Sequence, residues 1–359
     1  MTRLFAFGSN GSGQLGLGHK EDVNSPQACI GIPNNETIRK IVGGGNHSAV
    51  LTTSGRLFMA GSSQLGSRQE REWQKETLSS ETVVTENKPS DHDWTIYREL
   101  YSEHQWHDIA CGWAFTILVD VKGNVYGIGS TQFGELGLVD KQKDRTDLLP
   151  IAPDLLINID SVACGWRHCI ALDRNGKATN IYAPTLISDI PESVASIACG
   201  HLHTLFLGKT TGKVYGCGSN KYGQVTSNTQ DTCIYSVVPC NDLFMDGLTL
   251  TQSRHLTAGW HHSAVFIKES NKLWMWGRND HGQLQDELQH VVTATSGSEH
   301  TLAILDTGEL MAWGWNEHGN CTTDQADVTT PIIISLPSNK VTMLGAGCAT
   351  SWVVLSLES

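Results

Sequence analysis

One short phrase recurs seven times along this chain, and that recurrence restricts the fold more than any other property. A glycine is followed three residues later by a histidine or its substitute, then by a small or hydroxyl-bearing residue. The copies are Gly44-Gly45-Asn46-His47-Ser48, Gly112-Trp113-Ala114-Phe115-Thr116, Gly165-Trp166-Arg167-His168-Cys169 and Gly200-His201-Leu202-His203-Thr204. Gly259-Trp260-His261-His262-Ser263, Gly297-Ser298-Glu299-His300-Thr301 and Gly347-Cys348-Ala349-Thr350-Ser351 complete the set. Their leading glycines are separated by about 50 residues on average, the length of a propeller blade. A unit of this size cannot bury its apolar face alone, so it stacks on its neighbours.

Each copy runs into a short apolar strand such as Ser48-Ala49-Val50-Leu51 or Thr301-Leu302-Ala303-Ile304-Leu305. A glycine-containing turn (Thr53-Ser54-Gly55, Asp306-Thr307-Gly308) and a second strand follow, which is a hairpin signal. That second strand ends in another recurring phrase: Gly8-Ser9-Asn10-Gly11-Ser12-Gly13-Gln14-Leu15-Gly16, Gly129-Ser130-Thr131-Gln132-Phe133-Gly134-Glu135-Leu136-Gly137 and Gly218-Ser219-Asn220-Lys221-Tyr222-Gly223-Gln224. Gly277-Arg278-Asn279-Asp280-His281-Gly282-Gln283-Leu284 and Gly314-Trp315-Asn316-Glu317-His318-Gly319-Asn320 repeat it, Gly61-Ser62-Ser63-Gln64-Leu65-Gly66 shortens it, and Gly176-Lys177-Ala178-Thr179-Asn180 is degenerate. Asn and Gly tolerate the left-handed backbone of tight turns.

The two ends complement each other. The last copy reaches Ser351-Trp352-Val353-Val354-Leu355 without a second strand, and the chain opens with one, Arg3-Leu4-Phe5-Ala6-Phe7. Joining them completes a blade and leaves no strand unpaired at the seam. The expectation is an all-β, seven-bladed β-propeller, one domain over residues 1–359, with its ring closed by the N-terminal strand pairing into the C-terminal blade. Residues 67–107 interrupt the pattern with charged residues and isolated tryptophans such as Trp73 and Trp94. They read as a long polar insertion loop, disordered in part up to Ser90, with room for a helix over 70–78.

Composition narrows the function. The N-terminus has no apolar run of signal-peptide length, and no window could span a membrane, so a soluble protein of cytoplasm and nucleus is expected. The ten cysteines form no Cys-x-x-Cys pair, which favours small buried residues over metal or redox centres. A net charge of −12 disfavours direct nucleic-acid binding. No phosphate-binding glycine loop, Gly-x-Ser-x-Gly nucleophile or His-Glu-x-x-His is present, so no catalytic residues, cofactor or metal are assigned and an enzyme is not expected.

The residue after each leading glycine should emerge at one mouth of the central tunnel, where a hub strand begins. In order these are Gly45, Trp113, Trp166, His201, Trp260, Ser298 and Cys348. Three tryptophans and a histidine there either form a docking face, since aromatics are enriched in interface cores, or plug the tunnel mouth. His261 and Glu299, next along the same phrases, join the candidate contact set. So do Trp315, Glu317 and His318 in the loop before Gly319, although the Asp280-His281 pair of the preceding blade points to loop architecture as the simpler cause. His47, His168, His203, His262 and His300 occur once per blade and read as hydrogen bonds between neighbouring strands or blades rather than as a metal cluster.

The seven glycine–histidine phrases and the Gly-Ser-Asn phrases resemble the Regulator of Chromosome Condensation repeat family over essentially the whole chain. A narrower resemblance is to the fungal alpha-tubulin suppressor, or killer-toxin-insensitivity, propellers. It is carried by Phe7-Gly8-Ser9-Asn10-Gly11, Gln14-Leu15-Gly16-Leu17-Gly18-His19, Gly44 to Ser48, Ala110-Cys111-Gly112-Trp113, Thr295 to His300, Trp313 to Cys321 and Gly347 to Trp352. Residues 170–290 match only as blades. That resemblance implies a heterodimer with a small CSL-type zinc-finger protein, an iron-carrying electron donor. It further implies a supporting role in diphthamide biosynthesis and in Elongator-dependent modification of the tRNA wobble uridine, with Elongator met indirectly. The wider family also implies an alternative, guanine-nucleotide exchange on a small Ran-like GTPase. That activity calls for a wedge and usually a basic tail, neither of which is evident here.

Overall fold

The computed structural model describes residues 2–62, 94–137, 145–182, 184–240, 254–268, 270–285, 288–322, 326–338 and 340–356. They form seven antiparallel sheets around one axis. Blade one contains Ile38–Gly43, His47–Thr52, Leu57–Gly61 and Arg98–Leu100, and blade two Trp106–Cys111, Phe115–Asp120, Val125–Gly129 and Arg145–Pro150. Blade three has Ile159–Cys164, Cys169–Asp173, Ala178–Asn180 and Thr185–Leu186, and blade four Val194–Cys199, His203–Gly208, Val214–Ser219 and Cys233–Pro239. Blade five shows three strands, Arg254–Ala258, His262–Ile267 and Lys272–Gly277; blade six has Val291–Ser296, His300–Leu305, Leu310–Trp315 and Asp327–Ile334. Blade seven is shared between the ends. Val341–Ala346 pairs with Thr350–Ser356, which pairs with Thr2–Gly8, and Val23–Ala28 lies outermost.

The seam is in full register from Thr2 opposite Ser356 to Gly8 opposite Thr350. Phe5 and Phe7 carry it into the core of blade six, where they pack with Trp313, Leu310 and Leu302. Ring closure by the chain's own ends removes the exposed edge that an open stack of sheets would leave.

Two features depart from the sequence reading. Each glycine–histidine phrase follows the innermost strand rather than opening it, and the strand after the phrase is the second of its blade. Hub strands such as Ile159–Cys164 and Val194–Cys199 are short and rich in Ala, Ser and Cys, so they show neither alternation nor a strong apolar run. The second departure concerns the 67–107 insertion. Its return is blade structure. Gly61 N–H donates to the Trp94 carbonyl at 2.8 Å, Tyr97 is buried with its hydroxyl 3.0 Å from Ser48 Oγ, and Arg98–Leu100 pairs with Leu57–Met59. Trp106, also buried, begins the hub strand of blade two. Ile96, Tyr97, Leu100 and Trp106 are dispersed among charges, which hid their anchoring role. The helix expected over 70–78, the disorder up to Ser90 and Trp73 lie outside the described residues.

The histidines join neighbouring blades. Nε2 of His47, His168, His203, His262 and His300 sits 2.9–3.0 Å from the hydroxyl oxygen of Thr116, Thr204, Ser263, Thr301 and Ser351 respectively, each in the next blade. The leading glycines make this close approach possible: a Cβ on Gly200 would strike the His203 ring and the Gly259 carbonyl. No group of His, Cys, Asp and Glu that could hold a metal ion is present among the described residues.

Candidate functional site

The residues after the leading glycines are tied into a continuous circle by backbone hydrogen bonds. Gly45 N–H donates to Trp113 C=O, Trp113 to Trp166, Trp166 to His201, His201 to Trp260, Trp260 to Ser298, Ser298 to Gly347, and Cys348 to Gly44, over 2.7–3.4 Å. Every blade contributes one link, so the rim is held as rigidly as the ring itself. It surrounds the mouth of an axial cavity of ≈390 Å³, lined at this end by Trp113, Trp166 and Trp260 and deeper in by Cys111, Cys164 and Cys199.

On blades two to five the rim is aromatic. Trp166 stacks on His201 with centroids 4.3 Å apart, His201 meets Trp260 at 5.2 Å, and Trp260 meets Trp113 at 5.8 Å. Trp113 is 39% exposed and the other three are half-buried, so an apolar arc faces solvent. Gly45, Ser298 and Cys348, all small, occupy the rest of the circle. Burial and then the neighbouring His261 push the His201 imidazole down to about 4, so it is neutral at neutral pH and stacks as an uncharged ring.

One residue farther along each phrase lies a second circle, where polar chemistry concentrates on blades five and six. Glu299 is buried. It shares a hydrogen bond with His261 Nδ1, accepts one from Gln283 Nε2 at 2.8 Å, and lies 3.3 Å from Arg278 Nη1. Burial alone would raise its pKa, but the His261 hydrogen bond and nearby histidines outweigh it and hold the carboxyl below its ordinary value. Arg278 also binds Asp280, at 2.8 Å through Nε, and lies over the Tyr222 ring at 5.2 Å. Tyr222 meets His261 edge-on, also at 5.2 Å. A third circle is formed by the loop phrases, whose glycines come so close that a Cβ on Gly277, at φ +109°, would crowd the His261 carbonyl.

The structure therefore brings Trp113, Trp166, His201, Trp260, His261 and Glu299 into one contiguous patch. Trp315, Glu317 and His318 stand beside it. Trp315 N–H donates to the Glu299 carbonyl at 2.8 Å, and its ring meets the edge of His318 at 5.4 Å. His318 Nδ1 is 2.7 Å from Asp22 Oδ2, ahead of the outer strand of blade seven, while Glu317 is exposed. His281 makes the equivalent contact from blade five, 2.9 Å to Asp327 in the outer strand of blade six. Loop architecture thus accounts for the His318 position. Sequence reasoning missed Phe133, Arg167, Tyr222 and Arg278. Arg167 occupies the second circle and Arg278 the third, so their constant offset within the phrase was the available signal.

Comparison with known proteins agrees with this geometry. Residues 3–353 match the RCC1-like domain family. The mouse secretion-regulating guanine nucleotide exchange factor is 32% identical over 311 residues, covering 80% of this chain and 62% of that protein. The Arabidopsis thaliana ultraviolet-B receptor UVR8 is 28% identical, with 78% of this chain and 50% of that one covered. Thus this chain spans only about half to three-fifths of the length of such relatives. An RCC1 repeat-containing protein of Schizosaccharomyces pombe is 27% identical with 98% of both chains covered. Among solved structures, Prp20p from Saccharomyces cerevisiae superposes with a TM-score of 0.80 at 18% identity, covering 100% of this chain and 92% of that one, a likeness of fold. The circle of phrases, the seam and these matches together establish that the chain belongs to the RCC1-like propeller family.

Proposed function

We propose that this propeller is a non-catalytic protein-binding scaffold whose aromatic mouth docks a small CSL-type zinc-finger protein, an electron carrier. In that role it supports diphthamide biosynthesis and Elongator-dependent wobble-uridine modification, in cytoplasm and nucleus. The observation that carries the reading is the arc of Trp113, Trp166, His201 and Trp260 presented on a hydrogen-bonded rim. Rigid aromatic side chains bury large area at small entropic cost, the usual composition of binding hot spots. The partner's identity rests on the phrase resemblance at both ends of the chain.

Titration of the purified CSL-type protein into this chain in a calorimeter tests the reading. Trp113→Ala with Trp260→Ala should weaken binding at least tenfold with thermal unfolding unchanged. No heat of binding by the unmodified chain overturns the proposal. Accelerated nucleotide release from a Ran-like GTPase in a parallel assay would instead favour the exchange-factor alternative.

A further inference from the structure

Arg167 follows Trp166 in the second circle, and its guanidinium lies between two rings. Its Cζ is 3.5 Å from the Phe133 centroid and 3.7 Å from that of Trp166. Both faces of a planar cation are then covered, while its five N–H donors lie in the plane and leave through its edge. Phe133 is itself held: its backbone N–H donates to Glu135 Oε2 at 2.8 Å, and Glu135 is buried. The rotamer entropy that an arginine ordinarily loses on engaging a ligand is therefore already spent.

The charges around it are distributed unevenly. Glu299 is occupied by His261 and Arg278, and Asp280 by Arg278. Among the described residues no ion pair or hydrogen bond engages the Arg167 fork. In a chain of net charge −12, the aromatic mouth thus carries a positive group with no acceptor among the described residues. Exposed apolar side chains lie on the same mouth, with Phe133 against the fork itself 41%, Leu202 47% and Trp113 39% accessible. Covering these would exclude water and strengthen a charge pair made there.

We infer that Arg167 is a pre-set fork that binds, bidentately, an Asp or Glu carboxylate projecting from the apolar docking surface of a protein partner. The partner's identity rests on the function proposed above; the fork itself does not. A bidentate carboxylate fits the planar fork, whereas the point charge of lysine would not reproduce it.

The test uses the full chain labelled at arginine Nε. The probe is the blocked peptide acetyl-Gly-Glu-Gly-amide, with its Gln counterpart as control. The Arg167 Nε–Hε resonance, assigned by its loss in Arg167→Lys, should saturate at a peptide concentration at least fivefold lower than any other arginine. The Gln peptide should leave it unmoved, and Phe133→Ala should abolish the preference. Equal response of all arginines, or an identical response to Gln, overturns the fork. With the CSL-type protein, Arg167→Lys should lower affinity at least tenfold; unchanged affinity also overturns it. Failure of the unmodified chain to bind that protein, with the peptide preference intact, removes the proposed function and leaves the fork standing.

Discussion

His300 Nε2 lies 3.0 Å from Ser351 Oγ across the boundary between blades six and seven, and Ser351 donates onward to the Asn320 carbonyl at 2.8 Å. This is one joint in a belt that repeats at five of the seven boundaries. The other two are instructive. In blade two Phe115 replaces the histidine, and the next blade offers Cys169 instead of a hydroxyl; both are buried in one apolar cluster. In blade seven Thr350 takes the position; Ser48 of blade one still donates to a loop carbonyl, that of Gln14, as Ser351 does to Asn320, and the Tyr97 hydroxyl stands where the histidine would. At the first of these boundaries both polar partners are replaced together, which avoids the cost of about 1–3 kcal/mol for an unsatisfied buried polar group. At the second, Thr350 Oγ1 stays buried without a hydrogen-bond partner among the described residues.

The belt predicts acid sensitivity. Burial pushes His47, His168 and His262 down to about 4, and His203 and His300 to about 3, from 6.5. The unfolded chain therefore takes up protons that the folded chain refuses. Stability is full above pH 6.5 and falls as pH drops toward 4, on the order of 1 kcal/mol per histidine. Urea midpoints at pH 7.5 and 5.0 check this, with the lower midpoint expected at pH 5.0.

The Phe115–Cys169 joint predicts non-additivity. Phe115→His alone places an imidazole opposite a thiol, and Cys169→Thr alone places a hydroxyl opposite a ring; each should cost about 1–3 kcal/mol. Together they rebuild the joint found elsewhere, so the double variant should be more stable than the sum of the singles. A denaturant-based double-mutant cycle reads the coupling.

Gly259→Ala should destabilise by about 1–3 kcal/mol, because its Cβ would strike the His262 ring and approach the Gly297 carbonyl. Gly11→Ala, with nothing within 4 Å of the added carbon, should change stability by less than about 0.5 kcal/mol. Thermal unfolding of the two variants side by side tests the contrast.

Phe7→Ala addresses the seam. Phe7 is fully buried and pairs with Ser351, so truncation should cost about 3–5 kcal/mol although it lies near the chain's start. A loss below about 1 kcal/mol would show that closure does not depend on this strand.

Legibility differed by element. The phrase around His300 and the apolar run at Phe5 could be read directly, because each repeats a local pattern or completes one. The hub strand Ile159–Cys164 could not, since it faces a tunnel on one side and mixes small polar and apolar residues. Tyr97 was lost within a charged segment; it is buried in an apolar cluster with Leu15 and Trp352, and its hydroxyl meets that of Ser48, 49 residues earlier in the chain.

By itself the sequence determined the number of blades, the place of the seam and the existence of the histidine joints, because these follow from repetition and from the need to pair every strand. Only the tertiary structure decided which side chains meet across blades: Trp166 on His201, Arg167 between Phe133 and Trp166, Glu299 with His261. Apart from the neighbours Arg167 and Trp166, those contacts join residues tens of positions apart, and their geometry is set by how the blades are rotated about the axis, a quantity that no local stretch of chain encodes.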